Sequence, residues 1–327
     1  MLGFQSVIMV IMNPSNFKHC SVTLLTISAD QAGQRIDNFL HTHLKGVPKS
    51  HIYRILRTGE VRINKGRIKP TYRLNGGDVL RLPPVQCALS NHLPNANLGI
   101  NLASTILHED AHLLVINKPA GIAVHGGSGI HGGVIEGLRA LYPNAPYLEL
   151  VHRLDRETSG CLLIAKKRSM LRRLHELLRQ GGFTKKHYLA LVQGRWNPRL
   201  SHCHAPLSKN ILSNGERLVR VSAQGKPAAS QFSIEQQFAT TTLLRVQLLT
   251  GRTHQIRVHA AHLNHPIAGD RKYGDDQFNQ QMRCLTLRRL FLHAEQLAFH
   301  LPDLGYRLTA HAPLPTALQQ VLNHLEN

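Results

Sequence analysis

Residues 147–165 read YLELVHRLDRETSGCLLIA, and this stretch decides the fold of the larger part of the chain. Two apolar runs, Tyr147–Val151 and Cys161–Ala165, enclose the polar segment His152–Gly160. Apolar runs of this length that end at turn residues are typical of strands. The polar segment is therefore predicted to be a loop held between two strands, a position where reactive side chains are often placed.

Asp155 is the residue of this loop that could carry chemistry. Arg153 and Arg156 flank it in the sequence, and their charges would favour the ionised carboxylate. An ionised carboxylate in a shielded pocket can act as a nucleophile. From the residues alone, a structural ion pair between Asp155 and an arginine is the alternative.

Similar apolar runs alternate with turns through the rest of the chain, from Ile106 onward. The predicted strands include Leu113–Ile116, Cys161–Ala165, Tyr188–Val192 and Leu243–Leu249, and the clearest helical patterns cover Met170–Leu178, Thr253–Leu263 and Ala317–Leu325. This mixture predicts an α+β domain over residues 106–327, built on a large mixed, mainly antiparallel sheet.

A smaller unit precedes this domain, over residues 22–85. Its first part has the apolar spacing of two short helices, the second of which is predicted to be capped by Ser50 and to stop at Gly59. Alternating segments then predict strands, among them Val79–Leu82. The apolar side chains that share the buried helix faces are Ile36, Phe39, Leu40 and Leu44 in the first helix, and Ile52, Ile55 and Leu56 in the second.

The exposed face of this unit is predicted to bind RNA. Residues 31–85 contain eleven Lys or Arg against three acidic residues, and basic side chains on a short helix can follow a phosphate backbone. Lys49, Arg54 and Arg57 are the candidates, with a solvated helix face as the alternative. The segments AGQRIDNFL, PKSHIYRILRTGEVRINKGRIKP and LNGGDVLRLP resemble the S4 RNA-binding domain, which has two helices followed by strands.

The charge of the whole chain favours the same kind of partner. Its 327 residues include 39 Lys or Arg and 19 Asp or Glu, for a formal net charge of +20. So many positive charges repel one another unless they bind a polyanion such as nucleic acid. A basic surface that maintains solubility is the alternative. Residues 1–21 are predicted to be a flexible leader, and residues 86–105 a linker between the two domains.

The remaining features of composition favour a cytoplasmic protein that has no membrane span, and we expect it to be a monomer. The five cysteines are scattered, include no C-x-x-C pair and follow no secretory signal, which favours reduced thiols. The apolar run near the start is too short for a signal peptide or a membrane helix. Histidines 259, 262 and 265 have even spacing, but no metal-binding frame surrounds them, so no metal site is predicted.

Four motifs of the larger domain, with the segment that follows the last of them, resemble those of the RluA-type pseudouridine synthases. The segment HRLDRETSG at 152–160 is similar to the family signature that contains the essential aspartate. The other matching segments are NKPAG at 117–121, KHYLALV at 186–192, GRTHQIRVH at 251–259 and the stretch from His265 to Gly274. With the S4 unit, the resemblance covers about residues 22–327.

The resemblance implies isomerisation of uridine to pseudouridine in 23S ribosomal RNA or its assembly intermediates, with RNA rather than DNA as partner. Breaking the N1–C1′ bond and rejoining the uracil through C5 adds no atom, so no cofactor is expected. The target base must leave its stack to be reached. Asp155 is implied to attack the flipped nucleotide or to assist glycosidic cleavage, with attack at C6, attack at C1′ and a glycal route all open.

The resemblance also implies roles for other residues. Arg252 would form the ion pair with Asp155, and Tyr188 would stack on the uracil with its hydroxyl near C5. Arg153 would occupy the space left by the extruded base, His152 would hold the RNA there, and Arg257 is a further RNA-binding candidate. Two other classes of function are the alternatives: a non-catalytic RNA-binding or ribosome-assembly factor, and a metal-dependent hydrolase.

Overall fold

The computed structural model describes residues 17–19, 22–44, 47–88, 102–126, 132–211 and 217–326. The chain divides into two compact units, with the division between Leu93 and Pro94. Among the described residues, no helix is both long enough and apolar enough to cross a bilayer. No group of three or more His, Cys, Asp or Glu residues in that part of the chain is arranged to hold a metal ion.

The first unit packs two helices on a small sheet, as predicted. The helices are α1 (Ile36–His43) and α2 (Lys49–Arg57), and the strands are β1 (Phe17–His19), β2 (Thr23–Thr26), β3 (Arg62–Ile63), β4 (Gly66–Arg67), β5 (Val79–Leu82) and β6 (Gln86–Ala88). Strands β2, β5, β3 and β4 form one sheet in that order. The apolar side chains predicted for both helices are buried in its core.

Two boundaries of this unit differ from the prediction. Phe17–His19 lies in the predicted leader, yet it forms β1 and pairs antiparallel with β6, which lies in the predicted linker. The backbone N–H and C=O groups of a strand need hydrogen-bond partners on a neighbouring strand. A segment of three residues is too short to show an apolar pattern from which that neighbouring strand could be predicted. Helix α2 begins at Lys49 after Pro48, one residue before the cap that was predicted at Ser50. Residues 1–16 and 20–21 of the leader and 89–101 of the linker lie outside the described residues.

The second unit is built on a large mixed sheet, which confirms the predicted fold class. Its strands are β7 (Ile106–Glu109), β8 (Leu113–Lys118), β9 (Glu149–Leu150), β10 (Ser159–Ala165), β11 (Phe183–Gln193), β12 (His202–His204), β13 (Leu207–Ile211), β14 (Arg217–Val221), β15 (Ala229–Gln237), β16 (Thr241–Leu248), β17 (Leu292–Leu301) and β18 (Tyr306–His311). Its helices are α3 (Val134–Leu141), α4 (Arg168–Arg179), α5 (Gln255–His262), α6 (Asp276–Cys284) and α7 (Thr316–Glu326).

The strand order of the sheet is β12-β15-β16-β11-β17-β10-β8-β7, with β18 paired to β17 and β9 to β10. Pairing is antiparallel except between β10 and β17, which run parallel. Strands β13 and β14 form a separate hairpin.

Strand β10 is buried along its whole length because helices cover both faces of the sheet at this point. Cys161 and Leu163 pack in a cluster with Met170 and Leu174 of α4. Leu162 packs on the opposite face, in a cluster that includes α3. Burial on both faces explains why this strand reads as a continuous apolar run instead of an alternating one.

Gly160 fixes where the reactive loop joins β10. Its φ of 112° lies in the region that side chains rarely adopt, and a Cβ there would overlap the backbone of Ala294 in β17. Only glycine allows the two parallel strands to approach this closely. The loop at 152–158 therefore leaves the sheet beside β17, in the middle of the strand order.

Candidate active site

A cavity of about 770 Å³ lies in the second unit beside this loop. Its walls come from the loop before β10, from β11 and β17, from the end of α4, and from the segment that joins β16 to α5. The residues predicted for catalysis or RNA binding in this unit all line it: His152, Arg153, Asp155, Tyr188, Arg252 and Arg257.

The carboxylate of Asp155 faces two basic side chains. Nη1 of Arg257 and Nε2 of His254 each lie 3.8 Å from Oδ2 of Asp155. These distances are too long for hydrogen bonds, so the contacts are electrostatic. Among the described residues, no side chain or backbone group donates a hydrogen bond to the Asp155 carboxylate, which is therefore available to a substrate.

A buried ion pair holds the Arg257 guanidinium in place. Its Nε and Nη2 donate to Oδ2 and Oδ1 of Asp270, both at 2.7 Å, and the guanidinium lies 5.0 Å from the centre of the Tyr273 ring. Burial opposes the charge, but the hydrogen bonds and charges of Asp270, with the charge of Asp155, raise the pKa of Arg257. A permanent cation thus stands beside Asp155.

His254 is held in an uncommon backbone conformation at the start of α5. Its φ of 54° is left-handed, which is rare for residues other than glycine and frequent at functional sites. The Tyr273 hydroxyl accepts from the Val219 N–H at 3.0 Å and lies 2.7 Å from Nδ1 of His254. Tyr273 can therefore donate to Nδ1, which places the ring proton of neutral His254 on Nε2, the atom that faces Asp155.

Burial is the main cause that lowers the pKa of His254, and this favours its neutral form. His254, Asp270 and Tyr273 were given no role from the sequence. The signal was present, because all three lie in the segments at 251–259 and 265–274 that carry the family resemblance.

The prediction that Arg252 pairs with Asp155 is wrong in this structure. Nε of Arg252 donates to the carbonyl oxygen of Pro227 at 3.0 Å, and the side chain is exposed at the cavity wall. Arg257 takes the predicted place. Arg252 precedes the helix, whereas Arg257 lies in its first turn and is buried, so the two arginines of one motif point to different surroundings.

Two RNA-binding predictions also change. Arg257 is engaged by two carboxylates and its side chain is only 10% exposed, so it is not a free cation for RNA. Nε2 of His152 accepts from the Leu163 N–H at 3.2 Å, and burial lowers the pKa of His152 to about 4. Neutral His152 therefore anchors the loop to β10. The Arg153 side chain is exposed and has no ion pair or hydrogen bond to another described residue, as an RNA-facing side chain requires.

Tyr188 lies in β11, and its ring packs between two apolar clusters of the unit. Burial, and next to it the charge of Asp155, raise the pKa of Tyr188. The phenol is therefore protonated at neutral pH. A protonated phenol offers a flat ring and a hydroxyl, but it does not take up a proton readily.

Lys118 ties the reactive loop to the end of β8. Its side chain is completely buried, and Nζ donates to the carbonyl oxygens of Pro119 at 2.7 Å, Ile122 at 2.9 Å and Arg156 at 3.2 Å. Burial lowers the pKa of Lys118 to about 7. The lysine thus bridges two segments of the chain beside Asp155. The neighbouring glycine loop lies partly outside the described residues, at 127–131.

The basic side chains of α2 lie in the other unit and are exposed. Lys49, Arg54 and Arg57 all face solvent, opposite the buried Ile52 and Ile55. Arg54 has a partly exposed ion pair with Glu60 at 3.6 Å, and exposed ion pairs contribute little to the stability of a protein. The α2 surface therefore remains available to a polyanion.

Comparison with known proteins matches both units to families. The RNA pseudouridylate synthase family matches residues 112–262, and the S4 domain matches residues 34–80. The chain belongs to the RNA pseudouridylate synthase family and is an RNA pseudouridine synthase with an S4 domain.

Several relatives are similar over nearly the whole chain. The ribosomal large subunit pseudouridine synthases C of Salmonella typhimurium and Escherichia coli are each 56% identical over 315 residues, which cover 94% of this chain and 98% of each relative. That of Yersinia pestis is 58% identical over 304 residues, which cover 92% of this chain and 95% of the relative.

Solved structures share the fold. Human RNA pseudouridylate synthase domain containing 4 is 30% identical, with a TM-score of 0.58, and the match covers 71% of this chain and 96% of that chain. Human RNA pseudouridylate synthase domain containing 1 is 22% identical, with a TM-score of 0.51 over 68% of this chain and 94% of that chain, and this likeness shows the fold alone.

Proposed function

We propose that this chain converts uridine to pseudouridine in 23S ribosomal RNA of the large subunit, as a monomer in the cytoplasm. The observation that carries the proposal is Asp155, whose carboxylate lines a cavity and lies 3.8 Å from two basic side chains. The relatives named for this activity support the choice of RNA, because they match both units of the chain.

The first step is entry of the target nucleotide into the cavity. Extruding a base from its stack costs a few kcal/mol, and contacts between phosphates and basic side chains can offset that cost. The formal charge of +20 and the exposed arginines at 153 and 252 favour such contacts. We propose that Arg153, at the wall of the cavity, occupies the position that the extruded base leaves.

Asp155 then acts on the bound nucleotide. We assign the reaction to its carboxylate, which Arg257 and His254 approach at 3.8 Å. It attacks the nucleotide at C6 or C1′, or takes part in cleavage through a glycal. In each route Arg257 stabilises the carboxylate whenever it carries negative charge.

Tyr188 shapes the place where the uracil turns. The ring of the neutral Tyr188 phenol, beside Asp155, gives the base a surface for stacking after the glycosidic bond breaks. The free uracil must rotate to present C5 to C1′, and a flat apolar wall allows rotation without release. We propose stacking as the main role of Tyr188, since its raised pKa disfavours uptake of a proton.

The direct test is pseudouridine mapping on purified RNA. The purified protein is incubated with unmodified 23S rRNA, with unmodified small-subunit rRNA and transfer RNA as alternative substrates. The proposal expects pseudouridine at defined sites in 23S rRNA and at least tenfold slower modification of the other RNAs. Faster modification of another RNA class would reject the assignment of substrate, and no modification of any RNA would reject the activity.

A further inference from the structure

The cavity extends beyond the residues that surround the target base. Besides Asp155 and Tyr188, it is lined by residues 178–181 at the end of α4 and by Lys186 in β11. Lys186 precedes Tyr188 by two residues, and two residues of a strand span about 6–7 Å. A strand of RNA with its base beside Tyr188 therefore has room to continue toward α4.

The charges along this wall are strongly unbalanced. Asp155 is the one acidic residue among the described residues that line the cavity, and it already faces Arg257 and His254. Arg153, Arg179 and Lys186 line the same cavity, and none of the three has a side-chain ion pair or hydrogen bond among the described residues. Unpaired cations that share a cavity favour an anionic ligand.

Lys186 is the cation of this set that is least exposed. Its side chain is half-buried, and burial lowers the pKa of its ammonium. The charge of Lys186 also helps to keep the neighbouring His152 neutral, so His152 offers it no compensating interaction. A half-buried ammonium without an acceptor is costly, and a bound anion would remove that cost.

We propose that Lys186 binds an RNA phosphodiester next to the target uridine, with Arg179 and Arg153 beside it. This inference rests on the proposed function, because the ligand is the backbone of the same RNA. The lysine acts as a point charge with three donors, which suits a phosphate approached from one side. It would hold the strand in register while the neighbouring base occupies the site at Asp155.

The chain offers a matched control at the preceding residue. Lys185 is exposed, lies in the same strand and does not line the cavity. Lys186→Gln should raise the RNA concentration for half-maximal rate at least about tenfold, while the single-turnover rate at saturating RNA changes less than about threefold. The slope of log K against log salt should become shallower by roughly 0.7 for one phosphate contact on a single strand. Lys185→Gln should have smaller effects on the RNA concentration for half-maximal rate and on the salt slope.

The phosphate itself is identified with a set of short RNA substrates. In each substrate, a neutral methylphosphonate replaces one phosphodiester on either side of the target uridine. One position should weaken binding to the wild type at least fivefold and leave binding to Lys186→Gln unchanged, since the partner is already lost. If the variant binds as tightly as the wild type, or if every methylphosphonate penalty persists in it, the site is not at Lys186. Binding is measured without turnover, so this result stands apart from any failure to form pseudouridine.

Discussion

Replacing Arg257 with lysine tests the ion pair that the structure assigns to Asp155. Arg257 makes two hydrogen bonds to Asp270 and also approaches Asp155 at 3.8 Å, and one ammonium cannot do both. Two unit charges at that distance interact by about 4 kcal/mol at an effective dielectric constant of 20. Losing half of that in the transition state would slow turnover about 30-fold.

The same change should also affect stability, because the Asp270 side chain is only 1% exposed. Loss of one charge-assisted hydrogen bond costs about 1.5–3 kcal/mol, and this should appear in the urea dependence of unfolding. Single-turnover formation of pseudouridine at saturating RNA gives the rate. Arg252→Lys is the control: it keeps an exposed charge and should change turnover less than about threefold. A large loss with Arg252→Lys and near-normal turnover with Arg257→Lys would refute the assignment.

Three further predictions follow from the site and the S4 unit. Tyr188→Leu should lose at least tenfold more turnover than Tyr188→Phe, because base stacking contributes about 1–3 kcal/mol; equal rates would argue against stacking. Lys118→Met leaves three backbone carbonyls without their donor and should lower the free energy of unfolding by about 3 kcal/mol or more; an unchanged urea midpoint would contradict this. Replacing Lys49, Arg54 and Arg57 with alanine should make the salt slope of RNA binding shallower by up to about two units; an unchanged slope would move RNA binding elsewhere.

Much of the fold could be predicted from the sequence because its strongest patterns reflect burial. The continuous apolar run at Cys161–Ala165 became a strand that is covered on both faces, and the helical spacing at Met170–Leu178 became part of α4. The predicted strand at Tyr147–Val151 shrank to two residues, Glu149–Leu150. An apolar run shows that a segment is buried, but strand length also depends on the partner's backbone, which the sequence does not display.

The roles of the site residues were harder to predict than the fold because each role depends on where the side chain points. Both arginines of the segment at 251–259 suit a carboxylate, and spacing alone does not tell which one faces Asp155. The left-handed His254 turns the chain just before α5, and this turn separates the exposed Arg252 from the buried Arg257. His152 was likewise assigned to RNA, although its acceptor atom is used by the Leu163 N–H of β10. Such contacts join residues of different segments, and the pattern of residue types does not show which segments meet.

The most direct test of the account is single-turnover formation of pseudouridine by Asp155→Asn. The amide keeps the shape of the side chain but removes the charge that Arg257 and His254 face. Pseudouridine formation in 23S rRNA should fall below about one per cent of the wild-type rate, with RNA affinity within a few fold and an unchanged melting temperature. Turnover above that level in a folded, RNA-binding variant would contradict the assignment of Asp155 as the reacting carboxylate.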